Sequence, residues 1–166
     1  MFFGKKVSDD VNKKKKSIYS GVIKTKILVV DDHPVVRDGL AMLIDCQADM
    51  VVVARAGTAA QAILGVKEHP IDVAIVDMLL KQTTGAHITR KIKAMRPDLV
   101  VLIFSMSDEK CHIQQAFEAG ATGYIAKDEV SESIIDAIRQ VLDGKPYLSG
   151  RLSKLFTKPQ LDKLLT

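Results

Sequence analysis

The sequence predicts an α/β protein in which five β/α units, from Lys26 onward, build a parallel sheet with helices on both faces. Three observations predict it. Short apolar runs alternate five times with longer stretches of helical period. The runs are apolar at nearly every position rather than every second one, as in strands covered on both sides. The stretches between them are bounded by capping and breaking residues.

The predicted strands lie at 27–30, 51–54, 73–76, 100–104 and, most weakly, 124–126. His33-Pro34 opens the first helix, because a proline in the first turn lacks an N–H that would be unpaired anyway; Val35, Leu40, Leu43 and Ile44 are its expected buried face. Thr58 and Gln61 fit a capping box ahead of Ile63, Leu64 and Val66. The third helix spans about 85–95 and must stop before Pro97, since the residue preceding proline disfavours helical geometry. The fourth runs over 108–118 and ends at Gly120. The fifth runs over about 131–143, presents Ile134, Ile135, Ile138, Val141 and Leu142, and is closed by Gly144 and Pro146. After Tyr147, two short amphipathic pieces carry Leu152, Leu155 and Phe156, then Leu161, Leu164 and Leu165; they are separated by Pro159 and resemble a linker in want of a partner.

With 166 residues, 47% of them apolar, the chain can build a core of ordinary domain size, which sets aside a disordered or fibrous protein. Its apolar runs fall far short of the ~20 residues that cross a bilayer, and residues 1–4 are too short for a signal-peptide core. No membrane association and a cytoplasmic location are expected. Cys46 and Cys111 form no CxxC pair, so reduced, packed thiols are expected. The net charge of +4 resides in the tails: residues 1–24 carry +5 and 149–166 carry +3, whereas 25–148 carry −4. The expected organisation is a basic, disordered arm at 1–24, one domain at 25–148 and a linker at 149–166.

Loops at the carboxyl ends of parallel strands converge on one edge of the sheet, and binding chemistry collects there. Asp31 and Asp32 follow the first strand, Asp77 the third, Ser105 the fourth and Lys127 the fifth. Singly each has a plain reading: the aspartates and the serine as helix caps, the lysine as a surface residue. Jointly, three close carboxylates repel one another and call for positive charge. A hard dication with oxygen ligands, together with Lys127, supplies it; Mg²⁺ suits so few carboxylates, calcium wants more ligands, and Cys and His show no zinc spacing. A carboxylate attacking a phosphoryl group needs such cations, and Asp77, between the acidic pair and the lysine, is the candidate nucleophile. Ser105 would then donate a hydrogen bond to the phosphoryl oxygens. His33 is read as supporting the first helix; His69, His87 and His112 have no interpretable partner spacing.

The segments Ile27-Leu28-Val29-Val30-Asp31-Asp32-His33-Pro34, Asp77 with Gly85 eight residues on, Phe104-Ser105 and Gly120-Ala121-Thr122-Gly123-Tyr124-Ile125-Ala126-Lys127 resemble the receiver domain of bacterial two-component response regulators. The wording is most similar to the NarL/FixJ subfamily, which couples a receiver to a LuxR-type helix-turn-helix domain. The resemblance covers about 26–148. It implies a flavodoxin-like (βα)₅ three-layer sandwich with strand order 2-1-3-4-5. It implies Mg²⁺, with Mn²⁺ as a substitute, held by Asp32, Asp77 and the backbone carbonyl of Leu79, with Asp31 assisting. It also implies phosphotransfer to Asp77 from a sensor histidine kinase, a homodimer on phosphorylation, and Ser105 and Tyr124 moving together as a switch. Tyr124 has an equal alternative as a half-buried aromatic of an edge strand. Two positions depart from the family: Lys81 stands where proline is usual, and Met106 where a small residue is frequent, so altered rates are expected.

Other classes fit less well. A dinucleotide module needs a glycine-rich first turn, where this chain has Asp31-Asp32-His33-Pro34. A phosphatase with an aspartyl nucleophile would carry it on the first strand and add a cap, and would turn over substrate rather than take up one phosphoryl group. The ~18 residues after Leu148 cannot form a DNA-reading domain, which needs three or more helices. The expected whole is therefore the N-terminal part of a DNA-binding transcription regulator whose output domain is absent from this chain, with a stand-alone receiver as the alternative.

Overall fold

The computed structural model describes residues 23–129 and 131–166. The basic arm expected at 1–24, with its lysine run at 13–16, lies outside the described residues but for its last two. The strands are β1 (Thr25–Val30), β2 (Met50–Ala56), β3 (Val73–Val76), β4 (Leu79–Leu80), β5 (Thr83–Thr84), β6 (Val100–Ser105), β7 (Gly123–Ala126) and β8 (Tyr147–Leu148). The helices are α1 (Pro34–Asp45), α2 (Ala59–Glu68), α3 (Gly85–Met95), α4 (Lys110–Glu118), α5 (Ser131–Leu142), α6 (Gly150–Ser153) and α7 (Lys158–Leu164).

The main sheet is parallel throughout, in the order β2-β1-β3-β6-β7-β8. Its first five members give the expected 2-1-3-4-5 order. The sixth, β8, corrects the predicted count: two residues after the fifth helix pair with Gly123 and Tyr124. So short a strand has no period of its own in the sequence. Gly123 is required there, since a Cβ would lie 2.9 Å from Leu102 and 3.0 Å from the Tyr147 carbonyl. A second addition is the antiparallel β4–β5 hairpin beside the end of β3.

Each face of the sheet has its own core. Ile27, Val29, Val73, Ile75 and Leu102 pack with α1 and α5; Leu28, Val30, Ala74, Val76, Val101 and Ile103 pack with α2, α3 and α4. This is the three-layer sandwich, and it explains why both alternate sets of strand residues are apolar. The helix faces differ in detail from expectation. Val35 is 85% exposed, with Ala41 facing the core in its place, and Leu142 lies at the rim. Thr58 accepts the Gln61 N–H (3.2 Å), but Gln61 reaches past the cap to the Gly57 N–H (2.8 Å). Both free thiols, Cys46 and Cys111, are exposed rather than packed.

The C-terminal segment finds its partner within the domain. Leu152 is fully buried and Phe156 is 8% exposed in the α2–α3–α4 core, with Leu161 and Leu164 against it. Pro159 does not separate two pieces; it sits in the first turn of α7, after Thr157, whose N–H is taken by the Gln160 side chain at 2.9 Å.

Candidate functional site

Parallel register sets the site. Val30 pairs with Val76, so Asp31 and Asp77 leave adjacent strands side by side, and the Asp77 N–H donates to the Val30 carbonyl (2.8 Å). Ser105 pairs with Ala126, placing Lys127 at the next strand end. The Lys127 stem crosses β6 and its Nζ lies 2.8 Å from Asp77 Oδ2 and 2.5 Å from Asp31 Oδ2. These side chains are 9%, 5% and 3% exposed, and the Phe104 ring lies 5.7 Å from the ammonium. Lys127 is therefore a buried ion-pair partner, and the surface-lysine reading falls.

The remaining oxygens are held by turns. Asp31 Oδ1 accepts the His33 N–H (2.8 Å), an Asx turn that launches α1, while Arg37 donates to the Asp31 carbonyl (2.7 Å). Asp77 Oδ1 accepts the Leu79 N–H (3.2 Å). Since the Gly85 N–H bonds the Met78 carbonyl, Leu79 and Thr84 form a pair without mutual hydrogen bonds, which leaves the Leu79 N–H for Asp77 Oδ1. Gly85 permits this approach: a Cβ would lie 2.3 Å from the Asp77 carbonyl oxygen. Asp32 Oδ2 accepts the Lys81 N–H (2.8 Å). The other Asp32 oxygen is buried and has no hydrogen-bond partner among the described residues; His33 Nδ1 is 2.8 Å away but outside hydrogen-bonding direction.

One atom each from Asp31, Asp32, His33 and Asp77 lies within 4.8 Å of the others. Three carboxylates against one ammonium leave negative charge in excess. Burial raises the Asp77 pKa above its ordinary value, Asp31 adds to that, and Lys127 opposes it by hydrogen bond and charge. A dication is the species that such a donor set fits: hard oxygens, an orphaned buried carboxylate oxygen at Asp32, and a carboxylate whose ionised form needs support.

A second network joins this cluster to the C-terminal segment. Ser105 is fully buried, and its Oγ accepts the Ser107 N–H (3.1 Å). Tyr124, also fully buried, donates its hydroxyl to the Ser107 carbonyl (2.7 Å), and burial raises its pKa. It is neither half-buried nor on an edge strand, because β8 covers β7. Ser149 Oγ accepts the Ala126 N–H (3.0 Å), and Arg151 binds Asp108 and Asp128 (both 3.1 Å), one from each loop that follows Ser105 and Lys127. Ser107, Ser149 and Arg151 are absent from the sequence reading. The contacts that tie them to this network, Ser107 to Tyr124, Ser149 to Ala126 and Arg151 to Asp108 and Asp128, span 17 or more residues, and no local spacing reports that.

Lys81 and Met106, the two departures, are both exposed. Lys81 lines a cleft of about 640 Å³ beside Asp32, with Thr58, His87 and Lys91.

The comparisons bear on the fold and the family. Residues 27–139 match the response regulator receiver domain family. The oxygen regulatory protein NreC of Staphylococcus epidermidis is 38% identical over 129 residues, 77% of this chain and 59% of that protein. A two-component response regulator of the LuxR family from Aurantimonas superposes with a TM-score of 0.79 at 31% identity, covering 83% of this chain and 99% of the other. A LuxR-family DNA-binding response regulator from Silicibacter pomeroyi gives 0.65 at 27% identity, covering 76% and 98%. The chain thus spans 59% of the length of the NreC relative. Among the described residues no helix is long and apolar enough to cross a membrane. With the sheet order, the acidic cluster and the match over 27–139 in agreement, this chain belongs to the response regulator receiver domain family.

Proposed function

We propose that Asp77 accepts a phosphoryl group from a phosphohistidine of a sensor histidine kinase, and that the domain at 25–148 holds it as a signal. The observation that carries this is the Lys127 ammonium, buried and bonded to the carboxylates of both Asp31 and Asp77. An Asp77 carboxylate oxygen attacks phosphorus, the phosphorus–nitrogen bond breaks, and the imidazole leaves with the electron pair, giving an acyl phosphate. Lys127 stays beside the transferred group and neutralises part of its charge. Asp32, Asp77 and the Leu79 carbonyl, with Asp31 assisting, would hold Mg²⁺ or Mn²⁺, which supplies further neutralisation of the phosphoryl oxygens. Ser105 turns its hydroxyl proton to a phosphoryl oxygen, which draws on its bond to Ser107 and so on Tyr124. The chain takes up one phosphoryl group and loses it slowly rather than turning over a substrate.

The same reading makes 149–166 a linker toward an output domain and the whole a cytoplasmic, DNA-binding transcription regulator that dimerises when phosphorylated. The name of the Silicibacter pomeroyi relative, a LuxR-family DNA-binding response regulator, supports the DNA-binding part of this reading. Incubation with acetyl phosphate and Mg²⁺, followed by intact-mass measurement, tests the site. One added phosphoryl group per chain is expected, none in Asp77→Asn or with EDTA. Equal labelling of Asp77→Asn overturns the assignment, and continuous release of phosphate from assorted esters overturns the receiver reading.

A further inference from the structure

The start of α4 carries a second cluster with ligand chemistry, outside the acidic site. One atom each from Glu109, Cys111 and His112 lies within 4.8 Å of the others. Cys111 Sγ is 3.5 Å from Glu109 Oε2. Ligand bonds of ~2.0–2.3 Å around a tetrahedral ion hold neighbouring donor atoms about 3.5 Å apart, so this pair already has the separation that a shared metal requires. His112 contributes an independent feature: its Nδ1 lies 2.6 Å from Ser107 Oγ. A metal-bound histidine characteristically has its other ring nitrogen engaged in this way, which fixes the ring and leaves Nε2 for the ion. Ser107 Oγ can accept from Nδ1–H, because a hydroxyl offers two acceptor positions. Glu109 and Cys111 are exposed and His112 partly so, so small side-chain rotations close the set without disturbing the core.

We propose that Glu109, Cys111 and His112 bind a borderline-soft divalent metal ion of the Zn²⁺ type, with solvent at the open fourth position. The mixed sulfur, nitrogen and oxygen set selects against Mg²⁺, which belongs to the all-oxygen chemistry of the Asp77 site. Coordination is not a redox step: the Cys111 thiol loses its proton to solvent, the sulfur–metal bond forms, and the ion keeps its charge. No paired-cysteine spacing announces the site, because a carboxylate two residues before the cysteine supplies the third ligand. The ion would sit at the start of α4, beside Ser107, whose N–H bonds Ser105 Oγ and whose carbonyl Tyr124 bonds.

Titrating the chain with Co²⁺ in saturating Mg²⁺ tests this, because only thiolate ligation produces an intense near-ultraviolet sulfur-to-cobalt charge-transfer band. The expected result is a band that saturates at one Co²⁺ per chain and is bleached by Zn²⁺. It should be lost in Cys111→Ser and unchanged in Cys46→Ser. Glu109→Gln and His112→Ala should each weaken binding at least about tenfold, the lower end of what losing even an outer partner costs a metal site. Circular dichroism checks that each variant is folded. No band, a band that follows Cys46, one ion shared between two chains, or undiminished affinity in either ligand variant overturns the proposal.

Discussion

Replacing Lys127 with methionine keeps most of the aliphatic stem and removes the ammonium. Asp31 and Asp77, 3% and 5% exposed, then lose the partner whose nitrogen lies 2.5 and 2.8 Å from their oxygens. Removing one member of a buried ion pair costs about 3–5 kcal/mol, because the remaining charge stays out of water uncompensated. Protonation provides relief. Asp77 already has a raised pKa through burial, held down by Lys127, so the variant raises it further. The sign follows from linkage: the native state binds the proton more readily than the unfolded chain, so stability falls as pH rises from the ordinary value of 3.8 through the raised native value. The slope reaches at most about 1.4 kcal/mol per pH unit for one proton. Urea unfolding in EDTA, at pH 7 and pH 5, measures both quantities. Lys127→Met should be less stable than the parent by about 3–5 kcal/mol at pH 7, and by less at pH 5. A variant within about 0.5 kcal/mol of the parent at pH 7, or one penalised more at pH 5, refutes the reasoning.

A dication at the acidic cluster should stabilise the fold. At one hundred times Kd the gain is about 2.7 kcal/mol, which raises Tm by about 5–11 °C for a chain of this size; Asp32→Asn should remove most of it, and no Mg²⁺ effect on the parent would contradict the fit. Gly85→Ala drives a Cβ to 2.3 Å from the Asp77 carbonyl oxygen, so a loss of about 1–3 kcal/mol or more is expected. Its acetyl phosphate labelling should fall with it, and an unfolding midpoint at or above that of the parent would show that the contact is not limiting. Phe156→Ala should cost about 3–5 kcal/mol because the ring is 8% exposed in the α4-side core. A cost under about 0.5 kcal/mol, typical of a surface change, would mean that the C-terminal segment does not pack as described.

The strand ends were legible because a parallel sheet leaves no choice about them. Once 27–30 and 73–76 are read as strands, Asp31 and Asp77 must emerge at the same edge, and a lysine after the last long strand must approach them. Helix stops were legible where chemistry is local: α3 ends at Met95 before Pro97, and Gly120 and Gly144 take the left-handed conformations (φ 99° and 74°) that follow α4 and α5. What depends on tilt or distance was not. Val35 has the right period but sits in the first turn of α1 and meets solvent. β8 is two residues long and exists only because Gly123 lets another backbone approach. Tyr124 in isolation is compatible with either an edge or an interior strand; β8 on one side and the Ser107 carbonyl on the other make it interior. Leu152 and Phe156 announce an apolar face, and only the fold tells which surface receives it.

The central claim is that Asp77, among three neighbouring aspartates and a buried serine, carries the phosphoryl group. Borohydride reduces an aspartyl phosphate to homoserine, which marks the residue permanently. After labelling with acetyl phosphate and Mg²⁺, borohydride treatment and peptide sequencing by mass spectrometry, homoserine should stand at position 77 alone. Homoserine at 31 or 32, or a borohydride-resistant phosphate on Ser105, would contradict the account.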